Sequence, residues 1–169
     1  IEAIGSHANT EWLEGNALDL TDGVLTDAAL RAVRTDGSVV ENVYAIGDVA
    51  RFANPIFDDV PRRVEHWNIP TDSAKRVGQV LAAQLAGDDA SLLLAEPFAP
   101  IPSFWSDQYD IHLLAFGLLG LADEIKLLHG EIEGDCVFGY YREFKMVGVA
   151  GIGMRSTVQG YRSEFKLEG

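Results

Sequence analysis

The sequence holds a single cysteine, Cys136, in 169 residues. No internal disulfide can form, and the histidines His7, His66, His112 and His129 have no metal-ligand spacing with it, so neither a structural metal nor a redox thiol pair is expected. Basic residues are scarce too: 13 Lys and Arg stand against 26 Asp and Glu, a formal charge of -13. A phosphate-binding surface needs an excess of Lys and Arg, which argues against general nucleic-acid binding. No apolar run approaches the roughly 20 residues of a membrane helix, and no signal-peptide pattern occurs. A soluble cytoplasmic location, with no membrane partner, is the expectation. Also missing is any G-x-G-x-x-G dinucleotide fingerprint. Gly151-Ile152-Gly153 is no substitute, because Ser156 stands where the third glycine would be.

What is present is the 47% apolar content of a folded protein. The chain begins Ile1-Glu2-Ala3-Ile4-Gly5, without an initiator Met, in what reads as the middle of a strand. That predicts a fragment. Asp22-Gly23, between short segments of Leu18 to Asp27, predicts a tight hairpin. VVENVYAIG reads as a strand buried on at least one face and ending at Gly47. The following RFANPIFDDVPRRVEHWNIP contains Pro55, Pro61 and Pro70 and little periodicity, which predicts a long, irregular but ordered segment.

A helix is expected from Thr71 or Asp72 to Gly87, with an apolar stripe of Ala74, Val77, Leu81 and Leu85. The proline-rich stretch from Gly87 to Pro102 reads as a connection between two units, 1–97 and 98–169. In the second, DIHLLAFG, DEIKLLHG, CVFGYY and FKMVGVAG predict an antiparallel meander. Met154, Val158, Tyr161 and Phe165 then predict a terminal helix over one sheet face. The fold class is α+β.

The segment VYAIGDVARF ends an apolar strand at Gly47 and presents a carboxylate, Asp48. In open α/β sheets ligands gather beyond the carboxyl ends of strands. An ionised carboxylate only accepts hydrogen bonds, which suits the hydroxyls of a sugar or ribityl chain, and Gly47 allows close backbone approach. Asp48 as a simple turn cap is the competing reading of the same dipeptide.

VYAIGDVARF resembles the second FAD-binding signature of the flavin-dependent pyridine-nucleotide oxidoreductases. Together with AIGSHANTEWLEG, RFANPIFDDVPRRVEHWNIPTDSAKRVG and FWSDQYDIHLLAFG, it resembles the FAD-dependent NADH:ferredoxin reductases that serve bacterial oxygenases. The resemblance covers nearly the whole chain and is weakest after Gly151. It implies the remnant of an α/β FAD-binding domain followed by a small reductase C-terminal domain, an antiparallel sheet with a helix. It also implies hydride transfer from NADH to FAD, then passage of single electrons to a [2Fe-2S] ferredoxin. By the resemblance Gly47 and Asp48 would meet the ribityl chain, His66, Trp67 and Asn68 would line the isoalloxazine, and Phe104 and Trp105 would stand by its other edge on the ferredoxin face. Lys75, Arg76 and Trp105 become candidate docking residues, with Arg51, Arg62 and Arg63 adding to a basic patch that could steer an acidic partner. The alternatives for these groups are loop or core packing for the aromatics and solvated charge for the cations. Asp107 and Gln108 would orient their loop by hydrogen bonds. Glu65 matches an acidic family position, and a neutral solvent-facing role is the alternative.

No residue is assigned an acid, base or nucleophile role, since hydride and electron transfer are the cofactor's chemistry. Without either glycine fingerprint these residues alone are expected to hold FAD weakly or not at all, and to be inactive. A second reading is a non-catalytic dimerisation or interaction module that keeps the reductase scaffold. A relative such as an NADH oxidase or nitrite reductase subunit is a third, against which the FWSDQYD block weighs. Apolar surface on the VYAIG strand and on Leu18 to Leu30 is expected to be exposed and to favour a homo-oligomer.

Overall fold

The computed structural model describes residues 5–167, so the strand expected at the very start of the chain lies outside the described residues. The chain divides into two compact units, Ile1–Pro100 and Ile101–Gly169.

In the first unit the residues around Asp22-Gly23 make a bend, with Thr21 bridged to Gly23, and no hairpin. Local bonds explain the difference. The Asp19 carboxylate accepts the Thr21 amide and hydroxyl at 3.1 and 2.7 Å and lies 2.5 Å from the Arg51 guanidinium, so it satisfies the segment without cross-strand pairing. Strand β1 (Val24–Leu25) leads away from the bend. The reversal comes later, where the Asp27 carboxylate accepts the Ala29 and Arg31 amides at 3.0 and 2.8 Å. It feeds β2 (Arg31–Val33), antiparallel to β3 (Val39–Tyr44).

Strand β3 has the expected location but not the expected burial. Among the described residues it pairs with β2 alone, the register slips between Arg31 and Val33, and Val43 and Ile46 are 44% and 41% exposed. By contrast Val24 and Leu30 are buried, so the apolar surface expected on Leu18 to Leu30 is largely covered.

The segment read as irregular is a hairpin, β4 (Ala50–Asn54) with β5 (Asp58–Arg63), and β4 also pairs in parallel with β1. Pro55 sits in the turn closed by the Phe57 amide on the Asn54 carbonyl at 2.9 Å. Pro61 is tolerated because β5 is an edge strand, where a missing N–H breaks no ladder. Ala50, Phe52 and Asn54 are buried in alternation, a period of two that the prolines obscured.

Helix α1 (Asn68–Ala86) starts earlier than Thr71 and ends at Gly87 as expected. Pro70 falls within the first turn, where its missing N–H is no loss, so Thr71 and Asp72 are helical residues and not caps. Its buried face is Ile69, Ser73, Arg76, Val77 and Val80, which meets the expected stripe only at Val77; Leu81 and Leu85 are 38% and 88% exposed. Hydropathy cannot register the reason. The Ser73 hydroxyl accepts the Gly47 amide at 3.1 Å and donates to the Ile69 carbonyl at 2.7 Å. The Arg76 guanidinium donates to the carbonyls of Leu93 and Glu96 beside the short helix α2 (Ser91–Ala95).

Arg76→Met is therefore expected to destabilise the chain by about 2 kcal/mol, because backbone carbonyls lose their donor. Urea unfolding checks this, and an unchanged midpoint would refute it. Phe98 closes the unit, donating its amide to the Ala28 carbonyl at 2.8 Å and placing its ring edge-on to Phe52 at 5.0 Å.

The second unit is a five-stranded antiparallel sheet of β6 (Ser103–Gln108), β7 (Ile111–Gly117), β8 (Glu124–Gly130), β9 (Cys136–Arg142) and β10 (Lys145–Ile152), in the order β6-β7-β10-β9-β8. The meander holds for β8 to β10, but β7 lies on the far side of β10 and pairs there with β6. The FWSDQYD block is thus a strand and its turn. Helix α3 (Arg155–Gly160) and the 3-10 turn Tyr161–Glu164 follow, shorter than one continuous helix, and they bury Val158 and Phe165. Gly151 leaves room for Val158, whose Cγ2 would stand 2.5 Å from a Cβ there. The two units together are an α+β architecture. Among the described residues no helix is long and apolar enough to cross a membrane.

Candidate functional site

Past β3 the chain turns through Gly47–Val49 in a 3-10 turn closed by the Ala50 amide on the Gly47 carbonyl. Gly47 has φ +69°, and its amide is fixed by Ser73, one turn into α1. A Cβ there would stand 3.6 Å from Pro70, so the left-handed backbone, more than space, calls for glycine. The turn thereby holds Asp48, an exposed side chain, beside the first turn of α1.

A cleft of about 370 Å³ opens there, lined by Asp48, Glu65, His66, Trp67, Pro70 and Thr71. Three of the residues singled out in the sequence, Asp48, His66 and Trp67, come together in it. Gly47 is buried and is not among the lining residues. Asn68 is not among the lining residues; its amide donates to the Asp72 carboxylate at 2.9 Å, at the helix start. Trp105 is on β6 in the second unit, 48% exposed beside Phe104 at 42%. Asp107 and Gln108 are on the same strand, where the Asp107 carboxylate lies 2.7 Å from His112 Nδ1 and the Gln108 amide reaches the Ser106 hydroxyl at 3.3 Å. Pro70 and Thr71 escaped the sequence reading as lining residues, although a proline at a helix start was a signal for them.

A second cleft of about 270 Å³ shares Asp48 and Glu65 with the first and adds Ser6, His7, Asn9 and Arg63. Its position explains the Glu65 environment. The Ser6 hydroxyl and then the Arg63 guanidinium hold the Glu65 carboxyl below the usual carboxylate range, against the opposing effect of burial.

Trp67 is 79% exposed and His66 half-buried. Burial pushes the His66 imidazole below its ordinary value near 6.5, so it is neutral at pH 7. The unfolded chain then binds the proton more readily than the folded one. The stabilising difference is complete above about 6.5 and is lost as the pH falls below it. Denaturation of the wild type and His66→Gln on either side of that pH should show a steeper acid-side loss in the wild type; parallel curves would refute it.

The expected basic patch is largely neutralised. Arg51 pairs with Asp19 at 2.5 Å, Arg62 with Asp58 at 2.5 Å, and Arg63 with Asp22 at 2.7 Å and with Glu65. Arg76 is 8% exposed and spent on α2, so it is no docking residue. Lys75 remains exposed on α1.

No family model matches the chain. The ferredoxin–NAD(+) reductase component of the anthranilate 1,2-dioxygenase system of Burkholderia cepacia is 28% identical over 163 residues, 96% of this chain and 36% of that protein. A crystal structure of a ferredoxin reductase from Rhodopseudomonas palustris matches with a TM-score of 0.73 and 28% identity, over 95% of this chain and 35% of that one. The chain is similar to the ferredoxin reductases. Monodehydroascorbate reductase 2 of Oryza sativa subsp. japonica is 36% identical over 85 residues, 50% of this chain and 16% of that protein. The chain spans about a third of the length of the ferredoxin reductases it matches.

Proposed function

We propose that the chain is the flavin-edge and acceptor-facing portion of an FAD-dependent NAD(P)H:ferredoxin reductase. The observation that carries this is the meeting of Asp48, His66 and Trp67 in one cleft at the start of α1, in a chain similar to such reductases over nearly all its length. When bound, FAD supplies acceptance of a hydride from NADH and release of electrons one at a time.

The residues present fit one end of that group. Asp48 accepts hydrogen bonds from the ribityl hydroxyls, and the exposed Trp67 ring walls the isoalloxazine. The first turn of α1, which lines the cleft at Pro70 and Thr71, would turn a positive helix end toward it, a field that favours the reduced, more negative flavin. His66, uncharged at neutral pH, adds no competing cation. Nothing in these 169 residues supplies a glycine-rich pyrophosphate cradle, so alone they bind FAD weakly and catalyse nothing. As candidate groups for an acidic iron–sulfur ferredoxin, the second unit offers the exposed rings of Trp105 and Phe104 and the first unit offers the Lys75 cation.

A second reading keeps the flavin and changes the acceptor to a small organic radical, favoured by the 36% identity to monodehydroascorbate reductase over half the chain. Expression of the whole reading frame tests both. A yellow protein bleached by NADH under anaerobic conditions, and reoxidised by an added [2Fe-2S] ferredoxin, is expected. Reoxidation by monodehydroascorbate alone would select the second reading. A colourless product that ignores NADH would leave the scaffold as a non-catalytic interaction module.

A further inference from the structure

We propose that Arg63 is a positioning residue for Asp48, the strut that fixes the height of the carboxylate between the two clefts. Arg63 ends β5, and its side chain is 11% exposed. Its Nε donates to the Asp22 carboxylate at 2.7 Å, and its Nη1 donates to the backbone carbonyl of Asp48 at 3.3 Å and to the Glu65 carboxylate. Glu65 in turn accepts the Ser6 hydroxyl. One guanidinium thereby joins the bend at Asp22, the turn bearing Asp48, the residue before His66 and the segment at Ser6.

The stem of the side chain contributes as much as its head. A Cβ on Gly23 would stand 2.5 Å from Arg63 Cδ and 2.4 Å from the Val49 carbonyl oxygen, so the stem and the turn close directly on the bend. No other residue type reproduces this. Acceptors at diverging angles need a planar fork of donors, which lysine lacks. A ligand reaching Asp48 from either cleft meets a carboxylate whose backbone is already ordered, and ordering done in advance is not charged against binding. The consequence for a bound flavin rests on the reading proposed above; the geometry does not.

The test uses the 169-residue chain with Arg63→Met, Arg63→Lys and Asp22→Asn. Amide hydrogen exchange reports on Ala50, whose amide closes the turn, and on Gly47, whose amide is held by Ser73. Val149 and Ala150 of β10 are controls. Arg63→Met is expected to speed exchange at Ala50 and Gly47 by roughly tenfold, the worth of about one hydrogen bond. Lysine should not rescue it, and Asp22→Asn should give a smaller change in the same residues, even if Arg63→Met does not fold. Exchange unchanged at Ala50, full rescue by lysine, or equal acceleration throughout the first unit would overturn the proposal.

Flavin release on ultrafiltration of the protein expressed from the whole reading frame adds the functional readout, with Asp48→Ala as reference. A loss of affinity in Arg63→Met comparable to that in Asp48→Ala is expected. Wild-type affinity in Arg63→Met alongside loss in Asp48→Ala would also overturn it. Wild type and Asp48→Ala behaving alike would sink the flavin reading, and exchange would still decide the role of Arg63.

Discussion

Gly117→Ala is expected to destabilise the second unit by about 3 kcal/mol or more, the range of backbone strain compounded by a clash. Gly117 has φ +87°, where an L side chain is strained. A Cβ would also lie 2.3 Å from the Val147 carbonyl oxygen and 2.9 Å from the Cα of Gly148. Both are backbone atoms of β10, and Gly148 is paired with Gly117 in the sheet. Relief would need β7 and β10 to part, and those strands lie at the heart of the order β6-β7-β10-β9-β8. The Gly117 amide also donates to the Pro102 carbonyl at 2.9 Å, so the movement would carry the start of the unit with it. Gly120→Ala is the control, since a Cβ there meets nothing within 4 Å, and its effect should stay within about 0.5 kcal/mol. Urea unfolding of both variants makes the comparison. Equal midpoints would show that the sheet absorbs the extra methyl group, against this account of its packing.

On the function proposed above, Asp48→Ala in the protein expressed from the whole reading frame is expected to weaken FAD retention by about 10- to 100-fold. A charge-assisted hydrogen bond is worth about 1.5–3 kcal/mol, and each 1.4 kcal/mol is a factor of ten. Asp48→Asn keeps one acceptor oxygen without the charge and should fall between the two. The folded state should hardly notice either change, because the side chain is exposed in a short turn whose order depends on the backbone of Gly47 and Ala50. Flavin release on ultrafiltration, compared with the thermal midpoint, separates binding from stability. Undiminished flavin in Asp48→Ala would return the residue to the simpler role of a turn cap.

Much of the site was readable because its signals are local. A strand that ends at Tyr44, just before a Gly47 turn that exposes a carboxylate, and a helix that stops at Gly87, depend on residues close in sequence. The partners of the charges were not readable. Arg51, Arg62 and Arg63 resemble a basic patch until Asp19, Asp58, Asp22 and Glu65 are brought alongside. Arg76 resembles a surface cation until α2 folds back to receive it. The hairpin of β4 and β5 was hidden for a related reason. Proline is read as a breaker, yet at a turn or on an edge strand it breaks nothing.

By itself the sequence determined the α+β class, the positions of β3, of β7 to β10 and of α1, and the resemblance to reductases, because hydrophobic period and turn chemistry act over a few neighbouring residues. Only the tertiary structure decided which face of α1 is buried, which cations are spent on internal partners, and that Asp48, His66 and Trp67 share one cleft. Those outcomes depend on groups such as Gly47 and Ser73, or Asp22 and Arg63, that are far apart along the chain, and folding brings them within bonding distance at the cost of ordering everything between them.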